Sequence, residues 1–387
     1  MPLLAALAVA ALGVPAAAGR SGRLLPRAGG RWAGARRARL LASTPGSGGA
    51  RTALDEMSAD GKFERTASSF RAQVEPGGAH PPQAGRYRLY VALACPWAAG
   101  VLSALYLKGL EGVVKVSVAH PTWQRTRPDD PADAHCGWAF KAPGHPPVTS
   151  SAGHGAFECD AALAPDPAGA ASVRDVYERA ANWGSGGATK FTTPLLYDEA
   201  SDAIVNNESR DLLRILNSAF AGLGASEAVD LFPAEAQAEA EALDAWIYPD
   251  VNDGVYKCGF ARSQAAYDEA SGALFAALDR LDALLATRRY LTGPRLTWLD
   301  LRLYHTLVRF DPVYHTHFKC NRRRVEDYPN LAAFVRDVYQ MDAVRRSTNL
   351  RHIKVHYYSS HPQLNAFAVV PEAAGQDLDA PHGREGL

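Results

Sequence analysis

The pattern that most restricts how this chain can fold is a strand–helix–strand run between residues 87 and 118. From Tyr87 to Val91 apolar and polar residues alternate (Tyr-Arg-Leu-Tyr-Val), which predicts a short strand. Pro96 to Lys108 reads as a helix, with proline in its first position and Gly109 just past its end as a cap. Val113 to Val118, rich in valine, gives a second strand. Such a βαβ unit implies a right-handed crossover and parallel strands. A stretch full of Pro, Gly and His then runs over 119–171, long for a connection inside a compact domain. It is either a shaper of substrate access or a disordered insertion. Next come a helix around Ser172–Ala181, a strand at Thr192–Tyr197, a short strand at Ala203–Val205 and a helix from Glu208 to about Phe220. Gly222-Leu-Gly-Ala-Ser226 is a linker. Beyond it the apolar spacing is helical, over Ala234–Tyr248, Ser263–Thr287 and Asn330–Gln340, and Thr297-Trp-Leu-Asp300 forms a capping box ahead of an apolar run.

The order β-α-β-α-β-β-α, with Pro194 entering the third strand, is that of a thioredoxin-like domain. A helical domain behind it is the glutathione transferase arrangement. The expected fold class is therefore α/β plus all-α: an N-terminal thioredoxin-like domain over 62–222, a C-terminal glutathione-transferase-type helical domain over 232–361, and an irregular tail over 362–387.

Composition matters chiefly at the front end. The 387 residues balance 41 Lys+Arg against 41 Asp+Glu, which excludes a broad basic footprint for nucleic acid. Yet residues 1–54 hold eight arginines and no acid, the first being Asp55. Arg-rich, acid-free composition marks an organelle transit peptide. Removing that stretch leaves 33 basic and 41 acidic residues, a mildly acidic mature protein near −8. Leu3 to Val14 followed by Ala16-Ala17-Ala18 also resembles a secretory h-region with its cleavage site, so a two-part signal is one reading. The expected destination is a plastid (chloroplast), with the mitochondrion as the alternative. Nothing later reads as a transmembrane helix, and no membrane partner is expected.

Five cysteines with no CxxC pair are not a disulfide framework. Cys95 closes the first strand, and Pro96 takes the first helical position, so Cys95 falls at the N-cap. There the unpaired N–H groups and positive helix end stabilise a thiolate and lower its pKa. The residue three on is Ala98 rather than a second cysteine, so an external thiol must resolve any mixed disulfide, which points to glutathione. Cys258 and Cys320 read as packing residues. Cys136 and Cys159 with His135, His145 and His154 match no tight zinc spacing, nor do His352, His356 and His361. No metal is expected. Gly46-Ser-Gly-Gly and Gly184-Ser-Gly-Gly are loop glycines, not phosphate-binding fingerprints.

The segment Tyr90-Val-Ala-Leu-Ala-Cys95-Pro96-Trp97-Ala98 resembles the Cys-Pro-Trp-Ala signature of the xi-class glutathione transferases, the glutathionyl-hydroquinone reductases. Gly137-Trp138-Ala-Phe140, Ile204-Val-Asn-Asn-Glu208-Ser209, Ala245 to Tyr256-Lys-Cys-Gly-Phe-Ala, Thr306-Leu-Val-Arg-Phe-Asp-Pro-Val-Tyr314, His317-Phe-Lys-Cys320 and His356-Tyr357 are similar to further family motifs, in order along the chain. The resemblance implies that Cys95 attacks the glutathione sulfur of a glutathionyl-hydroquinone, that Tyr256 is the proton donor, and that Tyr314 and Tyr357 hydrogen-bond the cysteine or the quinol oxygens. It implies glutathione as co-substrate, with Glu208 at its α-ammonium, Ser209 at its α-carboxylate, Trp138 packed on it, Lys190, Phe191 and Thr192 alongside, and the backbone of Thr193 at its cysteinyl part. A homodimer is also implied. The sequence departs from the family where His-Arg usually follows the signature and Ala99-Gly100 stand, where a tryptophan after Phe70-Arg71 is missing, and at Thr193, usually valine. Two other readings use the same residues: a general thiol transferase (deglutathionylation or dehydroascorbate reduction), which needs Cys95 but not the tyrosines, and a non-catalytic binder of aromatic ligands.

Overall fold

A computed structural model describes residues 52–184, 190–372 and 376–387. Most of the segment read as a transit peptide therefore lies outside the described residues, as do the glycines at 186 and 187. Thr52 and Leu54, assigned to that segment, belong to the folded body: Leu54 packs on the core and its carbonyl accepts from Arg262.

The alternating residues of β1 (Tyr87–Val91) make it a central strand. It pairs in parallel with β2 (Val114–Val118), placing Leu89 beside Val116. α1 (Pro96–Leu107) crosses between them. It ends as the glycine predicts. Gly109 takes φ +66°, its N–H bonds the Tyr106 carbonyl at 3.0 Å, and the Leu110 N–H bonds the Leu105 carbonyl at 3.0 Å. Lys108 caps the helix and is not part of it.

The stretch 119–171 is neither structureless nor a mere insertion. β3 (Gln124–Arg125) and β4 (Cys136–Gly137) pair antiparallel, Val148 and Phe157 exchange both backbone bonds, and Val118 does so with Ala164. Val148, Phe157, Cys159 and Leu163 form a small apolar cluster with Ala368 from the C-terminal tail. These pairings join residues far apart in the stretch, so no short-range period announces them.

α2 (Val173–Arg179) starts at a Ser172–Asp175 capping box. β5 (Leu195–Asp198) begins three residues later than predicted, just after Pro194, which lacks the N–H a ladder needs. β5 runs antiparallel to both β1 and β6 (Ala203–Asn206), giving the order β2-β1-β5-β6. α3 (Ser209–Ser218) follows, with Glu208 as N-cap.

The helical part comprises α4 (Gln237–Ile247), α5 (Gly254–Phe260), α6 (Gln264–Leu285), α7 (Trp298–Leu307), α8 (His315–His317), α9 (Pro329–Tyr339), α10 (Asp342–Ser347) and α11 (Leu350–Ser360). Wide π turns over Tyr248–Asn252 and Phe310–Tyr314 interrupt it. Ala234–Tyr248, predicted as one helix, opens with a 3-10 turn at Ala234–Ala236 and passes at Tyr248 into the first π turn. α5 and α10 are too short to show a period. The linker is no hinge. The Ser226 N–H bonds the Lys108 carbonyl at 2.7 Å and Lys108 Nζ bonds the Val229 carbonyl at 2.7 Å. α1 packs on α3 of its own domain and on α7 and α10 of the other, so one core spans both. The tail is irregular, yet pinned: Leu378 is buried, Gln340 Nε2 bonds the Leu378 and Ala380 carbonyls, and Arg384 bonds those of Arg288 and Arg289. No described helix is long and apolar enough to cross a membrane.

The capping box of α7 forms as predicted. Asp300 is fully buried and accepts the Thr297 N–H at 2.8 Å, the Thr297 hydroxyl at 2.7 Å and the Leu291 N–H at 2.8 Å. Burial pushes its carboxyl up to about 6 against those donors. Asp300→Ala leaves three donors unpaired and should cost about 2–3 kcal/mol in denaturant melts. Because the folded-state pKa is raised above the unfolded one, Asp300's contribution is complete below about pH 4 and falls as pH rises through about 6. The advantage of the wild-type protein over the variant should therefore be larger at pH 5 than at pH 7.5.

Candidate active site

β1 delivers the chain into a tight turn, with the Cys95 N–H on the Ala92 carbonyl at 3.0 Å and the Ala99 N–H on the Cys95 carbonyl at 2.9 Å. Cys95 is thus the N-cap of α1, with φ −73° and ψ 120°, as its place before Pro96 predicts. Its environment differs from the expectation. Cys95 is only 9% exposed, and burial pushes the thiol up from the usual value, opposed by the Ala98 N–H, the Arg309 guanidinium and the Trp97 N–H. The helix end acts in the predicted direction, but desolvation of the anion outweighs it. The Sγ–H donates to the Thr193 carbonyl at 3.4 Å, a contact suited to the neutral thiol. The Thr193 hydroxyl is buried beside the same sulfur.

Opposite Cys95 stand the tyrosines. Tyr256 comes from α5, just after the first π turn; the tight packing of α5 follows from Gly259, where a Cβ would lie 2.3 Å from the Phe318 ring. The Tyr256 and Tyr357 hydroxyls are 2.6 Å apart, and those of Tyr357 and Tyr314 2.9 Å apart. Tyr256 and Tyr357 line the same cleft as Cys95. Tyr314 does not. It is fully buried at the end of the second π turn, behind Tyr357 and packed against the Tyr256 ring at 5.9 Å. Burial raises the pKa of all three, most strongly for Tyr314 and Tyr357, so the chain of hydroxyls carries its protons.

The other end of the cleft gathers the residues assigned to glutathione. Trp138, Lys190, Phe191, Thr192, Thr193, Glu208 and Ser209 all line it. Glu208 and Ser209 open α3 as predicted, with the Glu208 carboxylate accepting from Arg210 N–H at 3.2 Å and the Ser68 hydroxyl at 3.0 Å. The Lys190 ammonium is engaged by the buried Glu56 carboxylate and the Thr66 carbonyl. Trp138 follows β4 and stacks on His356 at 4.4 Å.

Several cleft residues were not singled out by the sequence. Arg65, upstream of the sheet, pairs with Asp253 at 2.7 Å and lies over Trp97 and Tyr256 at 5.4 and 5.0 Å. Trp123, from the long stretch before β3, packs edge-on to Trp138, and His361 packs on Tyr357. His356 and His361 both pack against the Tyr357 ring. His352 instead pairs with Asp160 at 3.0 Å. His356 donates Nδ1–H to the Pro121 carbonyl at 2.8 Å, and burial pushes its pKa down to about 3, so it stays neutral. Among the described residues no three His, Cys, Asp or Glu side chains form a metal-holding group, and all five cysteines are free. Ala99 and Gly100 are buried, and a Cβ at Gly100 would meet the His305 ring of α7 at 3.5 Å, leaving no space for a long side chain without displacing it.

Residues 264–337 match the family model of the glutathione S-transferase C-terminal domain. The chain is 41% identical over 344 residues to the glutathionyl-hydroquinone reductase YqjG of Escherichia coli, covering 86% of this chain and 95% of that protein. It is 40% identical to the glutathionyl-hydroquinone reductase PcpF of Sphingobium chlorophenolicum, covering 84% and 93%. The crystal structure of the glutathione S-transferase Xi of Phanerochaete chrysosporium superimposes with a TM-score of 0.72 at 39% identity, over 84% of this chain and 96% of that one. The glutathione-bound structure of YqjG does so with 0.69 at 40% identity, over 82% and 97%. The likeness in sequence and fold thus runs along nearly the whole of these relatives, and the chain belongs to the xi-class glutathione transferases, the family of the glutathionyl-hydroquinone reductases.

Proposed function

We propose that this protein reduces glutathionyl-hydroquinones to hydroquinones at the expense of glutathione. The observation that carries the reading is the facing of Cys95 by the Tyr256–Tyr357 hydroxyl pair across one cleft. Cys95 attacks the glutathione sulfur of the conjugate, forming a Cys95–glutathione disulfide and breaking the sulfur–ring bond. The electron pair of that bond goes to the ring carbon, which takes a proton from Tyr256, and the Tyr357 and Tyr314 hydroxyls share the developing phenolate charge. A second glutathione then attacks the disulfide, returning the Cys95 thiol and releasing oxidised glutathione. Glu208 and the first N–H groups of α3 suit the amino-acid end of glutathione, and Trp138 its backbone. The thiol gives its proton to water as it attacks, and Tyr256 regains from water the proton it passed to the ring carbon, so the step consumes no net proton.

Cys95→Ser should abolish both quinol reduction and the glutathione adduct seen by mass spectrometry. Tyr256→Phe should lower the rate of quinol reduction by about 10²–10³-fold while still forming a Cys95 adduct with oxidised glutathione at close to the wild-type rate. A general thiol transferase would be indifferent to Tyr256, so equal rates of quinol reduction in Tyr256→Phe would overturn the assignment.

The acid-free, Arg-rich residues 1–54 support import into a plastid, with the mitochondrion second. Fused to a fluorescent protein, this segment should carry it to the chloroplast; a cytosolic signal would refute targeting altogether. Membership of the family also supports a homodimer formed through the helical domain. Light scattering of the protein without residues 1–54 should give twice the mass of one chain, and a monomer mass excludes that assembly.

A further inference from the structure

Arg309 lies two residues past α7, in the helical domain, and is completely buried. Its Nη2 donates to the Leu93 carbonyl at 2.8 Å, its Nε to the Ala94 carbonyl at 2.9 Å, and its Nη1 to the His305 carbonyl at 2.7 Å and the His305 Nδ1 at 3.3 Å. Every one of these partners is neutral. His305 itself is held unprotonated by burial and by Arg309, and its Nε2 meets the Ser103 hydroxyl at 2.8 Å. Among the described residues Arg309 has no carboxylate within ion-pair distance. A guanidinium taken out of water without a counter-anion is costly, and three carbonyls do not require a full charge to satisfy them.

Two of those carbonyls belong to the residues that immediately precede Cys95. The ionisable groups that share the cleft with Cys95 are Tyr256 on α5, His356, Tyr357 and His361 on or next to α11, Glu208 before α3, Lys190 before β5, His135 and Cys136 at β4, Tyr248 in the first π turn, and Arg65 upstream of β1. Arg65 is paired with Asp253 and Lys190 with Glu56. Glu208 opposes an anion at Cys95. Tyr357, with Tyr314 behind it, stays protonated. Arg309 is therefore the cation next to the nucleophile whose charge no acid takes up.

We propose that Arg309 is the positioning residue of the nucleophile: its guanidinium fixes the Leu93 and Ala94 carbonyls that lead into the Cys95 turn, and supplies the positive charge against which the Cys95 thiolate forms. The inference rests on Cys95 being the nucleophile. It also links the two domains chemically, since a residue of the helical half tunes a thiol of the thioredoxin-like half.

The test is the pH dependence of Cys95 alkylation by iodoacetamide, read at Cys95 by peptide mass spectrometry, in the full chain and in Arg309→Lys, Arg309→Met and Arg309→Gln. Arg309→Gln keeps an amide donor for the carbonyls and serves if Arg309→Met does not fold. The midpoint should rise by at least about one pH unit in the two uncharged variants relative to Arg309→Lys, making alkylation at neutral pH about tenfold slower. A folded uncharged variant with the wild-type midpoint overturns the proposal. So does an equal shift in Arg309→Lys, because the proposal requires the positive charge as well as the hydrogen bonds to the Leu93 and Ala94 carbonyls. Failure of wild-type Cys95 to react at any pH would instead remove the nucleophile reading itself, an outcome distinct from an unmoved midpoint.

Discussion

The site depends on the burial of α1 from all sides. Its residues Ala98 to Leu105 are covered by the sheet and α3 on one side and by α7 and α10 on the other. A helix that is apolar around its whole circumference must lie inside a protein, and this one lies where two domains meet. Fixing α1 fixes its first residue, and so the direction of the Cys95 side chain and of the N–H groups behind it. The buried small residues on this helix, Ala98, Ala99, Gly100 and Ala104, let α7 approach closely enough for His305 and Arg309 to reach the helix and the turn before it.

Electrostatically the cleft is a balance of opposed terms. Desolvation raises the thiol and the phenols alike, while the start of α1 and Arg309 pull the thiol down. Several of the cleft's own charges are neutralised in pairs, such as Arg65 with Asp253 and Lys190 with Glu56, and burial favours the neutral thiol at Cys95. The phenols stay protonated across the working range, which suits a proton donor rather than a base.

How much of this the sequence disclosed varied with the distance over which each feature is written. Cys95 as an N-cap, the glycine at Gly109 and the Thr297–Asp300 box are each encoded within a few residues, and each forms where it was read. Glu208-Ser209 opens its helix for the same reason. The strand at Thr192–Tyr197 forms only from Leu195, because Pro194 offers no N–H to the ladder. The order inside 119–171 was invisible, since its bonds run between residues such as Val118 and Ala164. Arg65 and Trp123 were missed as cleft residues for a like reason: neither sits in a motif, and both are brought in by packing across the chain.

The sequence by itself determined the alternation of strands and helices, the cysteine at the start of its helix, and the family these motifs belong to, because all are local patterns of spacing and residue type. The tertiary structure alone decided the rest. It decided that Tyr256 and Tyr357 meet hydroxyl to hydroxyl while Tyr314 stands behind them, that the C-terminal tail is held against the body, and that burial raises the thiol a helix start would lower. It also set the Arg309 guanidinium, two residues past α7, on the carbonyls that lead into Cys95. Desolvation and charge pairing depend on which side chains exclude water from a point in space, and that is a property of the packed chain and not of any segment of it.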